Sequence, residues 1–188
     1  MVIHLNYHSL KIAADVVKQG GVVAYPTEHC YGLGCDPENI TGIKRILAMK
    51  KRRRAKGLIL VSDRIYRLNH YIRYLPENLR EEILQSWPGP FTWLIPARGD
   101  VSSWLRGQHT SIALRVTAHS ETRTLCRLAR TALVSTSANR SGRAMLTSAI
   151  KVEQEFRNEV DYVVKGRVGK ASAPSTIRDG ISGIVIRG

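Results

Sequence analysis

Short apolar runs alternate with helical patterns along most of this chain, which restricts it to folds with a sheet and helices packed against it. Val22-Val23-Ala24-Tyr25 reads as a buried strand broken by Pro26, and Gly57–Val61 as a second. Trp87-Pro88-Gly89-Pro90 ends one helix and launches a strand over Phe91–Ile95. Further strands are predicted over Ser111–Val116, Ala132–Thr136 and Asp161–Val164, near Ile177, and over Ile184–Ile186. Between them, apolar residues three and four apart predict helices. The first is capped by Ser9, carries Leu10, Ala13, Ala14 and Val17 on one face, and stops at Gly20-Gly21. A second covers Ile40–Lys50, with Ile43, Ile46 and Leu47 inward, and a third opens at Ser62 or Asp63 and carries Ile65, Leu68 and Ile72. Pro76 suits the first turn of a helix bearing Leu79, Ile83 and Leu84. Helices over Ser120–Leu128 and Ser148–Phe156 complete the set. The alternation, with strand-rich sequence at the end, predicts an α/β fold: a twisted mixed sheet flanked by helices. No repeat or linker interrupts it, so residues 1–188 are expected to form one domain.

A chain of this length buries a core without disulfides or structural metals. Its three cysteines, Cys30, Cys35 and Cys126, are odd in number and lack framework spacing, which favours reduced thiols. No apolar run approaches the roughly 18 residues needed to span a bilayer. Met1–Asn6 carry no basic segment leading into a signal sequence. No membrane association and a cytoplasmic location are therefore expected. The formal net charge of +14 directs attention to polyanions such as RNA, DNA or nucleotide phosphates, although basicity also serves solubility.

Familiar nucleotide motifs are missing. Gly166-Arg167-Val168-Gly169-Lys170 lacks the spacing and hydroxyl of a P-loop, and Gly32-Leu33-Gly34 lacks the third glycine of a dinucleotide fingerprint. Four other segments stand out. Tyr25-Pro26-Thr27-Glu28-His29-Cys30-Tyr31-Gly32-Leu33-Gly34 follows a strand and offers a hydroxyl, a carboxylate and two glycines where α/β sheets place ligand crevices. A plain turn is the alternative. Lys50-Lys51-Arg52-Arg53-Arg54-Ala55-Lys56 packs six cations into seven residues, a repulsion that an anionic phosphate partner relieves. A solvated basic turn at a helix C-terminus is the competing account. Ser135-Thr136-Ser137-Ala138-Asn139 presents consecutive hydroxyls and an amide where a strand emerges, suited either to a polar ligand or to a cap. Ala173-Pro174-Ser175-Thr176 is a weaker signal of the same kind.

His29, Cys30 and Cys35 lie close in sequence without a trustworthy zinc spacing, so buried thiols and no metal site are expected. Trp87, Trp93 and Trp104 read as core or loop anchors, with base stacking as a further option.

Taken in order, these segments resemble the YrdC/TsaC family over essentially the whole chain. The matches are Tyr25-Pro26-Thr27-Glu28 with Tyr31-Gly32-Leu33-Gly34, Lys50-x-Arg52 followed by Lys56-Gly57-Leu58-Ile59, Trp87-Pro88-Gly89-Pro90-x-Thr92, Ala113-x-Arg115, Ser135-Thr136-Ser137-Ala138-Asn139 and Pro174-Ser175-Thr176. The resemblance implies a YrdC-like domain with a basic concave cavity, in the short form without the extra C-terminal domain of longer relatives. It implies condensation of L-threonine, bicarbonate and ATP, with Mg²⁺, to threonylcarbamoyl-AMP and pyrophosphate, the first step of tRNA threonylcarbamoyladenosine modification. A separate tRNA threonylcarbamoyl-transferase complex would be the downstream partner. Two positions depart from the family pattern: Arg53, where proline is usual, and His29-Cys30, where small or apolar residues are commoner.

This reaction brings anions together, so positioning and electrostatic stabilisation should dominate. Lys50, Arg52 and Lys56 are assigned to the phosphates and developing charge, and Ser135, Ser137 and Asn139 to the nucleotide or carbamate. By resemblance, Thr27, Arg115 and Thr176 line the threonine side, and Thr92 approaches ATP. Lys50, Arg52, Ser137 and Asn139 are expected to form the catalytic set. Glu28 and His29 are candidates for a general base. The rival readings are a non-catalytic RNA-binding protein, contacting tRNA or double-stranded RNA through its basic concavity, and a carbamoyl-transfer accessory domain. Aromatic residues at 6% and the lack of RRM or KH signatures weigh against base-stacking recognition.

Overall fold

The computed structural model describes residues 2–188, with side chains described from Tyr7 onward. The helices are α1 (Val2–Lys18), α2 (Ile40–Lys50), α3 (Arg80–Gln85), α4 (Ser103–Arg106), α5 (Ser120–Ala129) and α6 (Ala149–Glu155). The strands are β1 (Val23–Pro26), β2 (Tyr31–Gly34), β3 (Ile59–Ser62), β4 (Phe91–Pro96), β5 (Ser111–Val116), β6 (Leu133–Ser137), β7 (Tyr162–Val163), β8 (Thr176–Asp179) and β9 (Val185–Arg187). They form one mixed sheet in the order β7-β1-β2-β6-β3-β5-β4-β8-β9. The expected mixed α/β sheet with flanking helices is thus the observed fold. Among the described residues no helix is long and apolar enough to cross a membrane.

The two faces of the sheet are covered differently, and the side-chain alternation of its strands decides how. Val22, Ala24, Leu33, Leu60, Val134, Leu114, Trp93 and Ile95 point into the larger core, which also holds Ile43, Ile46 and Leu47 of α2. Val23, Tyr25 and Leu133 point the other way, onto Leu10, Ala13, Ala14 and Val17 of α1 and Leu125, Cys126 and Ala129 of α5. That second layer does not extend along the whole sheet. Register continues the face of Tyr25 and Leu133 through Gly32, Ser137, Ser135, Ile59, Val61 and Arg115, and these residues line a cavity instead of a helix interface.

Three local expectations are corrected. Ser9 does not cap α1, because the helix already runs from Val2; the Ser9 side chain is buried, with its hydroxyl 3.1 Å from that of Tyr162. The segment after β3 is not one helix but two 3₁₀ turns, Ile65–Arg67 and Asn69–Tyr71. Leu68 and Tyr71 are buried at a spacing of three, which suits the tighter helix. Asp63, a candidate cap, has its carboxylate 2.8 Å from both Arg64 Nε and Arg67 Nε. The segment 31–34, taken as a crevice loop, is instead strand β2, paired antiparallel with β1. Its glycines hid the strand period, and Gly34 is needed for close packing: a Cβ there would sit 2.4 Å from Val134 O.

Candidate functional site

The site is built where β1 turns into β2, at the open ends of β3, β5 and β6, and under the segment leading into β8. Its cavity has a volume of about 250 Å³. Thr27, Arg52, Arg115, Ser135 and Ser137 all line it, so the structure brings together five of the ten residues singled out from sequence. The β1–β2 turn is fixed by the Thr27 backbone N–H, 3.0 Å from Cys30 O, and by the Thr27 hydroxyl, which donates to the same oxygen at 2.8 Å.

Arg115 enters from β5. Its Nε donates to Gly89 O at 2.9 Å, and its Nη2 lies 2.5 Å from Glu28 Oε1. That nitrogen is buried in a close ion pair with Glu28, and Arg115 lines the cavity. Glu28 Oε1 also accepts from the Thr117 hydroxyl at 2.6 Å and from the backbone N–H groups of Ala118 and His119 at 3.2 and 3.3 Å. Burial alone would raise the Glu28 carboxyl; Arg115 and the Thr117 hydroxyl outweigh it and hold the group below its ordinary value. A carboxylate so occupied positions Arg115 and is poorly suited to accept a substrate proton.

Lys50 stands behind the cavity rather than in its lining. It is 4% exposed at the C-terminus of α2, and its Nζ donates to Ser137 O at 2.5 Å, Asn139 O at 2.8 Å and Asn139 Oδ1 at 3.1 Å. The Ser137 hydroxyl donates to Asn139 Oδ1 at 2.7 Å. Lys50 therefore fixes the turn that presents Ser137. Burial, and then neighbouring Arg52, lower its pKa to about 8. Arg52 does line the cavity, with Nη2 2.9 Å from Gly57 O. Burial, and then the nearby Arg187 guanidinium, lower its pKa.

The remaining residues fall outside the lining. Asn139 backs Ser137. Thr92 is fully buried, its hydroxyl 2.9 Å from that of Ser175, and it is Ser175 that faces the cavity. Thr176 is replaced in the lining by Pro174 and Ser175. Lys56 is exposed on the 3₁₀ turn Arg54–Lys56. Arg54 is drawn away to Trp104, its guanidinium 4.5 Å from the ring centre. Only Arg52 of the basic run thus reaches the cavity lining. Arg53 adopts φ −65°, the angle proline would impose, so its departure from the family pattern leaves the backbone as proline would set it.

Sequence reading missed Arg187 and Met145 in the lining, and from Pro174-Ser175-Thr176 it chose Thr176 where Ser175 lines the cavity. Arg187 Nη2 donates to Ser175 O at 3.1 Å from the edge strand β9. Nothing in its sequence neighbourhood marks it, because it arrives only through the pairing of β9 with β8.

Residues 15–188 match the family model Sua5/YciO/YrdC, described as "Telomere recombination". The chain is 46% identical over 178 residues to the threonylcarbamoyl-AMP synthase of Nitrosococcus oceani, covering 95% of this chain and 96% of the relative. It is 47% identical over 174 residues to the protein of the same name from Stutzerimonas stutzeri, covering 93% and 94%. Among solved structures, P. abyssi Sua5 complexed with L-threonine superposes with a TM-score of 0.86 at 29% identity, over 92% of this chain and 51% of that one. This chain therefore spans about half the length of that Sua5. E. coli YciO shares the fold, with a TM-score of 0.82 at 22% identity, over 96% and 89%. The order of the sequence motifs and these similarities have one explanation: the chain belongs to the Sua5/YciO/YrdC family.

Proposed function

We infer that this chain is a threonylcarbamoyl-AMP synthase that uses L-threonine and ATP. The observation that carries the reading is the cavity itself: Arg52, Arg115 and Arg187 share its lining with hydroxyl residues that include Thr27, Ser135, Ser137 and Ser175, on the stretch of a sheet face that, among the described residues, no helix covers. Curated relatives of nearly the same length carry that activity in their names.

The reaction assigned is threonine plus bicarbonate plus ATP to threonylcarbamoyl-AMP plus pyrophosphate. Threonine's amine attacks the bicarbonate carbon and water leaves, giving a carbamate. A carbamate oxygen then attacks the α-phosphorus, and the bond to the β-phosphate oxygen breaks. Each partner is anionic, so fixed cations lower the barrier most. Arg115 is assigned to the threonine carboxylate, because it is a cation in the same lining as Thr27 and Ser175. Arg52 and Arg187 are assigned to the phosphates. Lys50 holds Ser137 and Asn139 in place, so that the Ser137 hydroxyl meets the reacting groups at a fixed angle. Lys56, Thr92, Asn139 and Thr176 then act from behind or beside the cavity.

Magnesium is assigned as the counter-ion of the nucleotide phosphates. Glu28 is the one carboxylate in the lining, and its Oε1 serves Arg115, Thr117, Ala118 and His119. The lining thus does not form a protein-borne metal cage, and no step is derived through the ion. A transferase acting on tRNA is the assigned consumer of the adenylate.

The test is pyrophosphate release from ATP and bicarbonate, with and without L-threonine, followed by mass spectrometry of the product. Threonine-dependent release with the adenylate mass is expected. Its absence, under conditions where a relative turns over, would overturn the reading.

A further inference from the structure

We propose that His29 is a positioning residue: its imidazole latches a strap of coil, residues 166–175, that forms one wall of the cavity. The strap lies between β7 and β8, and its far part, with Ala171, Ala173, Pro174 and Ser175, lines the cavity. His29 has no part in the reaction derived above.

Hydrogen bonds seat the near part of the strap on the β1–β2 turn. The Tyr31 hydroxyl lies 2.7 Å from Gly166 O and 3.0 Å from Val164 O. The Gly169 N–H donates to Thr27 O at 2.9 Å, and the Ala171 N–H to Glu28 O at 3.0 Å. Glycine permits so close an approach: a Cβ at Gly169 would stand 2.7 Å from Glu28 O, and one at Gly166 2.9 Å from Pro26 Cγ. The glycines of Gly166-Arg167-Val168-Gly169, which fail the P-loop spacing, thus bring the strap onto the turn. The far end is held elsewhere in the site. The Thr176 N–H donates to Pro90 O at 3.1 Å, the Ser175 hydroxyl lies 2.9 Å from that of Thr92, and Arg187 Nη2 donates to Ser175 O at 3.1 Å.

Between these anchors Ser172, Ala173 and Pro174 are exposed, and among the described residues no hydrogen bond ties them. Such a stretch opens locally at small cost unless its ends are gripped. The grip at its near end comes partly from a side chain, since His29 Nδ1 lies 2.9 Å from Ala171 O. A carbonyl only accepts, so Nδ1 donates, in the neutral ring and the imidazolium alike. His29 and Glu28 thereby hold both polar groups of the Ala171 backbone. The Glu28 carboxylate also pairs with Arg115, so one residue places both the strap and that guanidinium. The functional consequence, which rests on the synthase reading, is that the cavity is complete only while the strap is seated. Apparent affinity then falls with the seated fraction, and saturating substrate restores the wall. Losing the latch therefore raises KM and spares kcat.

The experiment is hydrogen–deuterium exchange of the whole protein, read by mass spectrometry of peptides spanning residues 166–172. One lost hydrogen bond should make His29→Leu exchange about two- to tenfold faster there than wild type. His29→Asn, whose side-chain N–H can replace Nδ1, should stay close to wild type. Gly169→Ala, in which the added Cβ lifts the strap, should exchange faster with His29 intact. Thermal melts check that each variant is folded. Equal exchange by wild type and His29→Leu, or exchange by His29→Asn as fast as by His29→Leu, would overturn the latch. In the pyrophosphate assay, His29→Leu should raise the KM for L-threonine about two- to tenfold at a kcat near that of wild type, and His29→Asn should restore it. A fall in kcat at unchanged KM would overturn the place of the strap in substrate binding. Exchange needs no turnover, so a wild type without threonine-dependent release would sink the synthase reading alone, with the latch judged by exchange.

Discussion

At the scale of single residues, cations in this cavity fall into those that face the space and those that build its walls, and the two kinds predict different failures. Arg52 faces it, and its described hydrogen bonds run to one carbonyl within its own turn. Arg52→Ala should therefore leave the melting temperature near wild type while lowering kcat/KM for adenylate formation by about 2–4 kcal/mol of transition-state stabilisation, read by pyrophosphate release. Lys50 builds a wall and is held near pKa 8 by burial and by Arg52. Its charged form holds Ser137 and Asn139, so activity should fall as pH rises through about 8, and Lys50→Arg should carry the alkaline limb of the profile upward. The stability sign is the opposite. A lysine whose folded pKa lies below its unfolded value penalises the fold while protonated, and the penalty is relieved as pH rises from about 8 toward the ordinary lysine value of 10.5. Glu28 is held below its ordinary range, so its contribution is present above the normal carboxylate pKa and is lost as pH falls through the depressed one. Glu28→Ala leaves Arg115 buried without its counter-charge, and a cost of about 3–5 kcal/mol is expected in urea denaturation.

At the scale of elements, the ends of helices and the sheet edge decide where functional side chains arrive. α2 ends at Lys51, which takes a left-handed conformation with φ 50° and returns its N–H to Ala48 O and Leu47 O. A side chain in that conformation costs about 1–2 kcal/mol, so Lys51→Gly should raise stability by about 1 kcal/mol in the same denaturation assay without moving Lys50. The basic run was read as one phosphate-binding unit, yet the left-handed residue and the following 3₁₀ turn send its members in different directions. Lys50 goes inward, Arg52 to the cavity, Arg54 to Trp104 and Lys56 to solvent. Turn chemistry of this kind is set by backbone hydrogen bonds, which a count of charges does not contain. β9 is an exposed edge strand, and Arg187 is its contribution to the site. Arg187→Ala should raise the KM for ATP with little change in melting temperature, since β9 buries almost no core.

At the scale of the whole molecule, the site exists because one sheet face is covered along only part of its extent. Ligand and fold are then linked: ATP bound at 100 times its Kd should stabilise the protein by about 2.7 kcal/mol, visible as a thermal shift that Arg52→Ala reduces. Much of this architecture was legible beforehand. The strands over 91–95 and 111–116 and the helix over 40–50 appear within a residue of their expected bounds, because apolar periodicity is a local property that follows from burying one face of an element. The motif order also pointed to the family, and the family model covers residues 15–188. Strand β2 stayed hidden because its glycines carry no period, and the helix expected after β3 dissolved because buried Leu68 and Tyr71 follow a three-residue spacing. The sequence by itself determined the α/β class, the family and the set of polar residues available for chemistry, since pattern and residue type are written locally. Only the tertiary structure decided which of them meet. Register placed Arg115, Val61, Ile59, Ser135, Ser137 and Gly32 on one face, the pairing of β9 with β8 brought in Arg187, and burial set Lys50 against Ser137 and Asn139, because these depend on contacts between residues far apart in the chain.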